Sequence, residues 1–249
     1  MDTLSISAIT LGLAMILAPA TGARAAELKV LAGGAMTASL KDLGPRFERA
    51  TGHKLTIHFA GTPELIRQAT SAPFDLGVVP VDVMKDAAAK AKFAPGVDIA
   101  RVGYGVAVRA GAPKPDIGTP DALMATLLKA QSVALFAESA AGAYVLKTFE
   151  RLGIGEAMKG KIKAQTSPAQ IPEAVAKGDA ELGVFLTNVL IAPGVELAGP
   201  FPADLQQDLV FTGALAADTK EADAARALID YLKTPEAIAV IRAKGMTPG

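Results

Sequence analysis

Few residues in this chain carry strong acid–base or metal chemistry by type. It has two histidines and no cysteine. Without cysteine there is no thiolate catalysis, no cysteine-held metal, no disulfide and no lipid anchor on a cysteine. His53 and His58 stand five residues apart on a turn and a strand, which does not make a helical metal pair. His53 reads as a loop histidine. His58 alternates with Ile57 and Phe59 and so points away from their face. Glu138 precedes a helix start. It has the chemistry of a general acid or base, but its simpler reading is a solvated acid near the positive end of a helix dipole. Gly33-Gly34 lacks a third glycine and has Met36 in the turn, so it is no dinucleotide fingerprint. There is no Walker loop and no Gly-x-Ser-x-Gly elbow. No catalytic residue, metal site or cofactor is expected.

The chemistry left over is that of backbone N–H groups. Ala35-Met36-Thr37 follows the first strand and Gly61-Thr62 the second. Ser139-Ala140-Ala141-Gly142 follows the first clear strand of the second half. Each offers small residues and free N–H groups at the positive end of a helix, where an anion is held without a charged side chain. In parallel sheets such ends gather at the carboxyl edge, where ligands bind.

Those junctions need strands and helices to position them, and the patterning supplies both. Strands are expected at Leu28–Ala32, Leu55–Ala60, Leu76–Val79, Val102–Arg109, Ser132–Phe136, Leu182–Leu186 and Leu209–Ala216. Helices are expected at Thr37–Ala50, from Thr62, at Asp121–Lys129, Ala140–Leu152, Ile171–Lys177, Glu221–Leu232 and Pro235–Lys244. Thr62-Pro63-Glu64 reads as a helix start with Thr62 as N-cap. Uniformly apolar Leu76–Val79 has the look of a strand buried on both faces. The Gly/Pro-rich stretch Ala110–Pro120 fits a crossover into a second lobe. Alternating β and α elements imply an α/β fold.

Bulk properties narrow the function. Hydrophobic residues make up 51% and charged residues 20%, a globular composition. Lys+Arg and Asp+Glu balance at 25 each, so there is no field to attract nucleic acid or an anionic membrane. Tryptophan is absent and aromatics are 5%, which argues against stacking platforms for bases or large sugars. Ile6–Ala18 is apolar at the length of a signal-peptide core, and Ala23-Arg24-Ala25 supplies a small-x-small cleavage site. Residues 1–25 are therefore expected to be a cleaved signal peptide, although the leading segment carries Asp2 and no Lys or Arg.

The run Leu28-Lys29-Val30-Leu31-Ala32 leads through a small-residue turn to a helix ending in Phe47-Glu48-Arg49-Ala50-Thr51-Gly52. It resembles the start of the molybdate-binding receptors of ABC importers. Ala141-Gly142-Ala143-Tyr144, closed by Leu152-Gly153, resembles their second-lobe helix, and Gly178 to Val184 their strand before the ligand loop. Ala225–Tyr231 with Lys233-Thr234-Pro235-Glu236-Ala237 is similar to the C-terminal helices of many ABC-importer receptors. The resemblance spans essentially the whole chain after residue 25. It implies the two-lobed periplasmic binding fold of type II, each lobe a mainly parallel sheet flanked by helices, with two hinge crossovers. Lobe one is expected at 26–104 plus 212–249 and lobe two at 105–211. It also implies a periplasmic monomer that closes on a small ligand and docks on ABC permease subunits.

Carried over residue by residue, the resemblance gives a mixed site. The family's first contact, a serine, falls at Ala35, where the hydroxyl is lost. The second falls at Gly61 or Thr62, and Thr62 keeps one. A backbone donor is retained at Ala141, but the next falls at Pro168, which has no N–H, unless a one-residue shift places it at Ala169. The family's tyrosine falls at Leu186, with Thr187 and Asn188 beside it. Each donor lost from a buried dianion costs on the order of 1–3 kcal/mol, or about one to two decades of affinity. The expected site is Ala35, Met36, Thr37, Gly61, Thr62, Ser139, Ala140, Ala141, Thr187 and Asn188. Its expected ligand is a small anion or organic metabolite in the interlobe cleft, with a molybdate-like oxyanion disfavoured by the lost contacts. The alternative is a periplasmic enzyme on the same fold, such as an isomerase of small tricarboxylic acids, with Glu138 or His58 as base.

Overall fold

A computed structural model describes residues 25–249, so all but the last residue of the expected signal peptide lies outside it. The chain opens with β1 (Glu27–Gly33), a 3-10 turn (Gly34–Met36), α1 (Thr37–Thr51), β2 (Lys54–Ala60), α2 (Thr62–Ser71), β3 (Leu76–Pro80), α3 (Ala87–Lys90) and β4 (Val97–Val102). It passes into β5 (Tyr104–Arg109), α4 (Pro120–Lys129), β6 (Val133–Leu135), α5 (Ala140–Arg151), α6 (Gly155–Lys159), β7 (Ile162–Ala164), α7 (Gln170–Lys177), β8 (Leu182–Leu186), α8 (Thr187–Leu190) and β9 (Val195–Pro200). It closes with β10 (Leu209–Leu215), α9 (Ala222–Leu232), α10 (Pro235–Ala243) and β11 (Thr247–Pro248).

Local chemistry explains where the helices start and stop. Leu40, Leu43 and Phe47 share one buried face of α1, and Gly52, at φ 78°, ends that helix in a left-handed turn. Ser139 caps α5 by accepting from the Gly142 N–H at 3.0 Å, and Thr234 caps α10 through the Ala237 N–H at 3.3 Å. β3 and β8 are buried along their whole length, as strands covered on both faces must be.

The strands form two sheets, ordered β11-β4-β10-β3-β1-β2 and β7-β6-β8-β5-β9. Parallel pairing holds β1 to β2 and β3, and β6 to β7 and β8. The sheets are mixed rather than mainly parallel. The strands next to the crossovers, β4, β5, β9 and β10, pair antiparallel: β4 and β9 lead out of their sheets, and β5 and β10 enter theirs from the other lobe.

The stretch expected as one strand, Val102–Arg109, is two, and the crossover into the second lobe lies between them rather than in Ala110–Pro120, which joins β5 to α4 within that lobe. β4 belongs to the first sheet and β5 to the second, with Gly103 between them. A β-carbon at Gly103 would stand 2.9 Å from the Gln206 amide. That amide occupies both main-chain groups of Tyr104, accepting from its N–H at 2.7 Å and donating to its carbonyl at 2.9 Å. The second crossover, 201–208, is held by Tyr144, whose hydroxyl donates to the Leu205 carbonyl at 2.8 Å. Tyr104 packs between Tyr144 and Phe201 at ring distances of 4.6 and 5.9 Å, and burial pushes its phenol above the usual range. The sheets thus divide at Gly103 and between Pro200 and Leu209, against expected breaks after residues 104 and 211.

Candidate functional site

β1, β2 and β6 all deliver their chain to a helix start at one edge of their sheet, and the two edges face each other. The space between them is of two kinds. An outer cleft of about 780 Å³ is lined by Thr37, Gly61, Phe136, Thr166, Ser167 and Asn188, among others. Behind it lies an inner chamber of only about 20 Å³ at the helix starts themselves, walled by Ala35, Thr62, Ala140 and Ala141 and by Phe136, Pro168, Leu186 and Phe211.

The lobes touch across this space. The Ala140 N–H, at the start of α5, donates to Thr62 Oγ1 at 3.3 Å. Asn188 Nδ2 donates to the Ala35 carbonyl at 2.8 Å. A β-carbon at Gly34 would stand 2.9 Å from Pro168, and one at Gly61 would stand 2.9 Å from the Phe136 ring. Glycine at both positions lets the lobes approach this closely.

Eight of the ten expected residues meet at this interface. Ala35, Gly61, Thr62, Ser139, Ala140 and Ala141 wall the chamber, and Thr37 and Asn188 line the cleft. Met36 does not join them: its side chain is fully buried in the core around α1. Thr187 turns to the hinge, where its N–H donates to the Gly103 carbonyl at 2.9 Å and its methyl lies over Gly105. Thr62 is not the N-cap of α2; Gly61 is, which leaves the Thr62 hydroxyl to accept across the cleft. Two other hydroxyls are taken locally. Ser139 donates to the Phe136 carbonyl at 2.9 Å, and Thr37 donates to the Gly34 carbonyl at 2.6 Å.

Asn188 is buried, and its Oδ1 has no hydrogen-bond partner. A carbonyl only accepts, so the bond to Ala35 fixes Nδ2 as the atom facing it and leaves Oδ1 as the stranded acceptor. The titratable groups on the outer cleft are His58, Glu64 and Glu138. Arg67 grips Glu64 with two bonds, 2.7 and 2.6 Å, and Gln68 adds a third at 2.7 Å. These bonds hold the Glu64 carboxyl at about 2. His58 Nε2 lies 3.7 Å from Glu64. His53 is away from the site, buried against Phe47, with Nδ1 accepting from the Ala26 N–H at 3.1 Å.

The aromatic wall had only a weak sequence signal. Phe136 ends an expected strand three residues before the Ser139 junction, which places it at a carboxyl edge. Phe211 lies inside β10, and only the pairing of β10 with β3 brings it beside Gly33.

The sequence profile of the family described as bacterial extracellular solute-binding protein matches residues 28–247. The chain belongs to that family. Among curated relatives of this solute-binding protein, an aconitate isomerase from Pseudomonas sp is 34% identical over 254 residues, covering 96% of each chain. The molybdate-binding protein ModA of Azotobacter vinelandii is 29% identical over 248 residues, covering 98% of this chain and 97% of the relative. Among solved structures, the periplasmic molybdate-binding protein of Azotobacter vinelandii superposes with a TM-score of 0.73 at 20% identity, covering 88% of this chain and 98% of that one. This solute-binding protein is thus similar to molybdate receptors in fold and along its length. Ala35, Pro168 and Leu186, where donors were expected to be lost, all wall its inner chamber.

Proposed function

We propose that this solute-binding protein takes a small organic acid into the cleft between its lobes and serves as the periplasmic receptor of an ABC importer. It works as a monomer and hands its ligand to the permease subunits. The observation that supports this reading is the contrast between the two spaces. A chamber of about 20 Å³ has room for about one water, whereas a tetrahedral oxyanion presents four oxygens that all need donors. The outer cleft, at about 780 Å³, falls in the roughly 300–1,000 Å³ range of small-molecule sites. Its wall offers the Ser167 hydroxyl and the second Nδ2 proton of Asn188, with no Lys or Arg among the described lining residues and with Glu64 and Glu138 among them. A carboxylate there is held by neutral side-chain donors of the cleft wall, because the helix starts of α2 and α5 lie in the inner chamber.

A thermal-shift panel tests this. Small di- and tricarboxylates give the largest stabilisation, about 2.7 kcal/mol at a hundred times the dissociation constant. Molybdate or tungstate giving the largest shift at micromolar concentration contradicts it.

A second reading is favoured by two observations. The chain is 34% identical to an aconitate isomerase, and His58 and Glu138 line the same cleft. Isomerising an unsaturated tricarboxylate by moving a proton needs one group that takes a proton and returns it. Glu64 is unfit, because its carboxylate is committed to Arg67 and Gln68. His58 and Glu138 remain. Proton NMR of cis-aconitate with the protein in heavy water decides between the readings. Appearance of the trans isomer, lost in Glu138→Gln or His58→Ala, supports the enzyme; an unchanged spectrum leaves the receptor.

A further inference from the structure

The outer cleft and the inner chamber share an aromatic wall. Phe136, on the second lobe, lines both spaces. Its ring bears on Gly61 of the first lobe, where an added β-carbon would stand 2.9 Å from both Cε1 and Cζ. Carbon pairs settle at about 3.5–4.0 Å, so this contact admits no side chain on the other side. Phe136 is 6% exposed, and on its inner side there is only the 20 Å³ chamber. From the first lobe, Phe211 fills the chamber's far wall, its ring 2.5 Å from where a β-carbon on Gly33 would stand. Behind the Phe136 ring lie Thr62 and the start of α5 at Ala140 and Ala141. Those groups keep part of the donor set an oxyanion needs, and they lack the room for one.

We infer that Phe136, seated on Gly61, is the specificity-determining partition of the interlobe space. It closes the chamber at the helix starts and confines the ligand to the outer cleft. The inference rests on the organic-acid reading and names the residue that enforces it. Phe136→Ala joins the two spaces and opens the helix starts to a tetrahedral oxyanion. Gly61→Ala sets a methyl against the ring and holds the lobes apart, and the same change is harmless once the ring is gone.

Calorimetric titration tests this with citrate and cis-aconitate as carboxylates and molybdate and sulfate as oxyanions. The proteins are wild type, Phe136→Ala, and Gly61→Ala in each background. Phe136→Ala is expected to bind molybdate or sulfate at least about tenfold more tightly than wild type. Gly61→Ala is expected to weaken the carboxylate at least about tenfold in wild type, and to add little in Phe136→Ala, the coupling expected of two groups in contact. An unchanged ligand profile in Phe136→Ala, or an equal effect of Gly61→Ala in both backgrounds, overturns the partition. If Phe136→Ala loses its cooperative melt, Phe136→Leu takes its place with the same two expectations at smaller amplitude. A wild type that binds neither carboxylate, beside a Phe136→Ala that gains an oxyanion, sinks the organic-acid reading and leaves the partition standing.

Discussion

Asn188 joins the lobes through one half of its amide and strands the other half. Its Nδ2 reaches the Ala35 carbonyl at 2.8 Å, and its Oδ1 is buried without a partner. Asn188→Asp keeps the shape and removes the donor, setting a buried carboxylate against a carbonyl. In the open form that charge is free to hydrate, so the penalty falls on closure. Ligand affinity in Asn188→Asp should fall at least about thirtyfold, or about 2 kcal/mol, with melting of the unliganded protein little changed. Unchanged affinity by titration removes Asn188 from the closing contact. Glu64 makes a different prediction. Its hydrogen bonds to Arg67 and Gln68 lower its carboxyl from 4.5 to about 2. A depressed carboxyl contributes stability above its unfolded value, and that contribution is lost as pH falls from about 4.5 toward about 2. Glu64 therefore stays ionised at any milder pH. Any acid limb in ligand binding between about pH 4 and 8 belongs to another group, and Glu64→Gln should leave such a limb in place. An acid limb that vanishes in the variant contradicts this.

At the scale of elements, the crossovers decide how the lobes can move. Gln206 acts as a short piece of strand, satisfying both main-chain groups of Tyr104 beside Gly103. Gln206→Ala removes both bonds, leaving the Tyr104 N–H to water and its carbonyl with the bond it accepts from the Phe201 N–H at 2.9 Å. The loss should be about 2 kcal/mol for the two bonds, a fall in melting temperature of roughly 4–8 °C for a chain of this size. A melting temperature within about 1 °C of wild type would show that the hinge does not depend on Gln206. Helix starts were legible as places but not always as caps: the α2 start read at Thr62 is capped one residue earlier, at Gly61, because glycine there lets the Phe136 ring close on it. The first crossover was not legible in the apolar pattern, although the resemblance placed a lobe break one residue away, after residue 104. Val102, Tyr104 and Val106 continue one apolar pattern, and nothing in Gly103 itself says that the chain changes sheets there. β7 is Ile-Lys-Ala and half exposed, so no apolar run marked it. β9 forms through its pairing with β5 rather than through a pattern of its own.

For the whole molecule, alternation of strands and helices made two α/β lobes legible, and the junctions at Ala35, Thr62 and Ala141 pointed to the face they share. The chamber's size was not legible. It depends on Phe136 and Phe211 coming from opposite lobes, 75 positions apart in sequence, onto glycines that let them in. Donor losses read from sequence and lack of room read from structure are separate observations, and both weigh against a tetrahedral oxyanion. The Asn188 and Thr62 contacts describe a closed form whose lobes bind each other directly. A ligand of the outer cleft adds contacts to that form and favours it. The most direct measurement is calorimetric titration of the purified protein with citrate, cis-aconitate and molybdate side by side. A carboxylate should bind with a dissociation constant at least about a hundredfold below that of molybdate. Molybdate binding as tightly as the best carboxylate, or more tightly, would contradict the account.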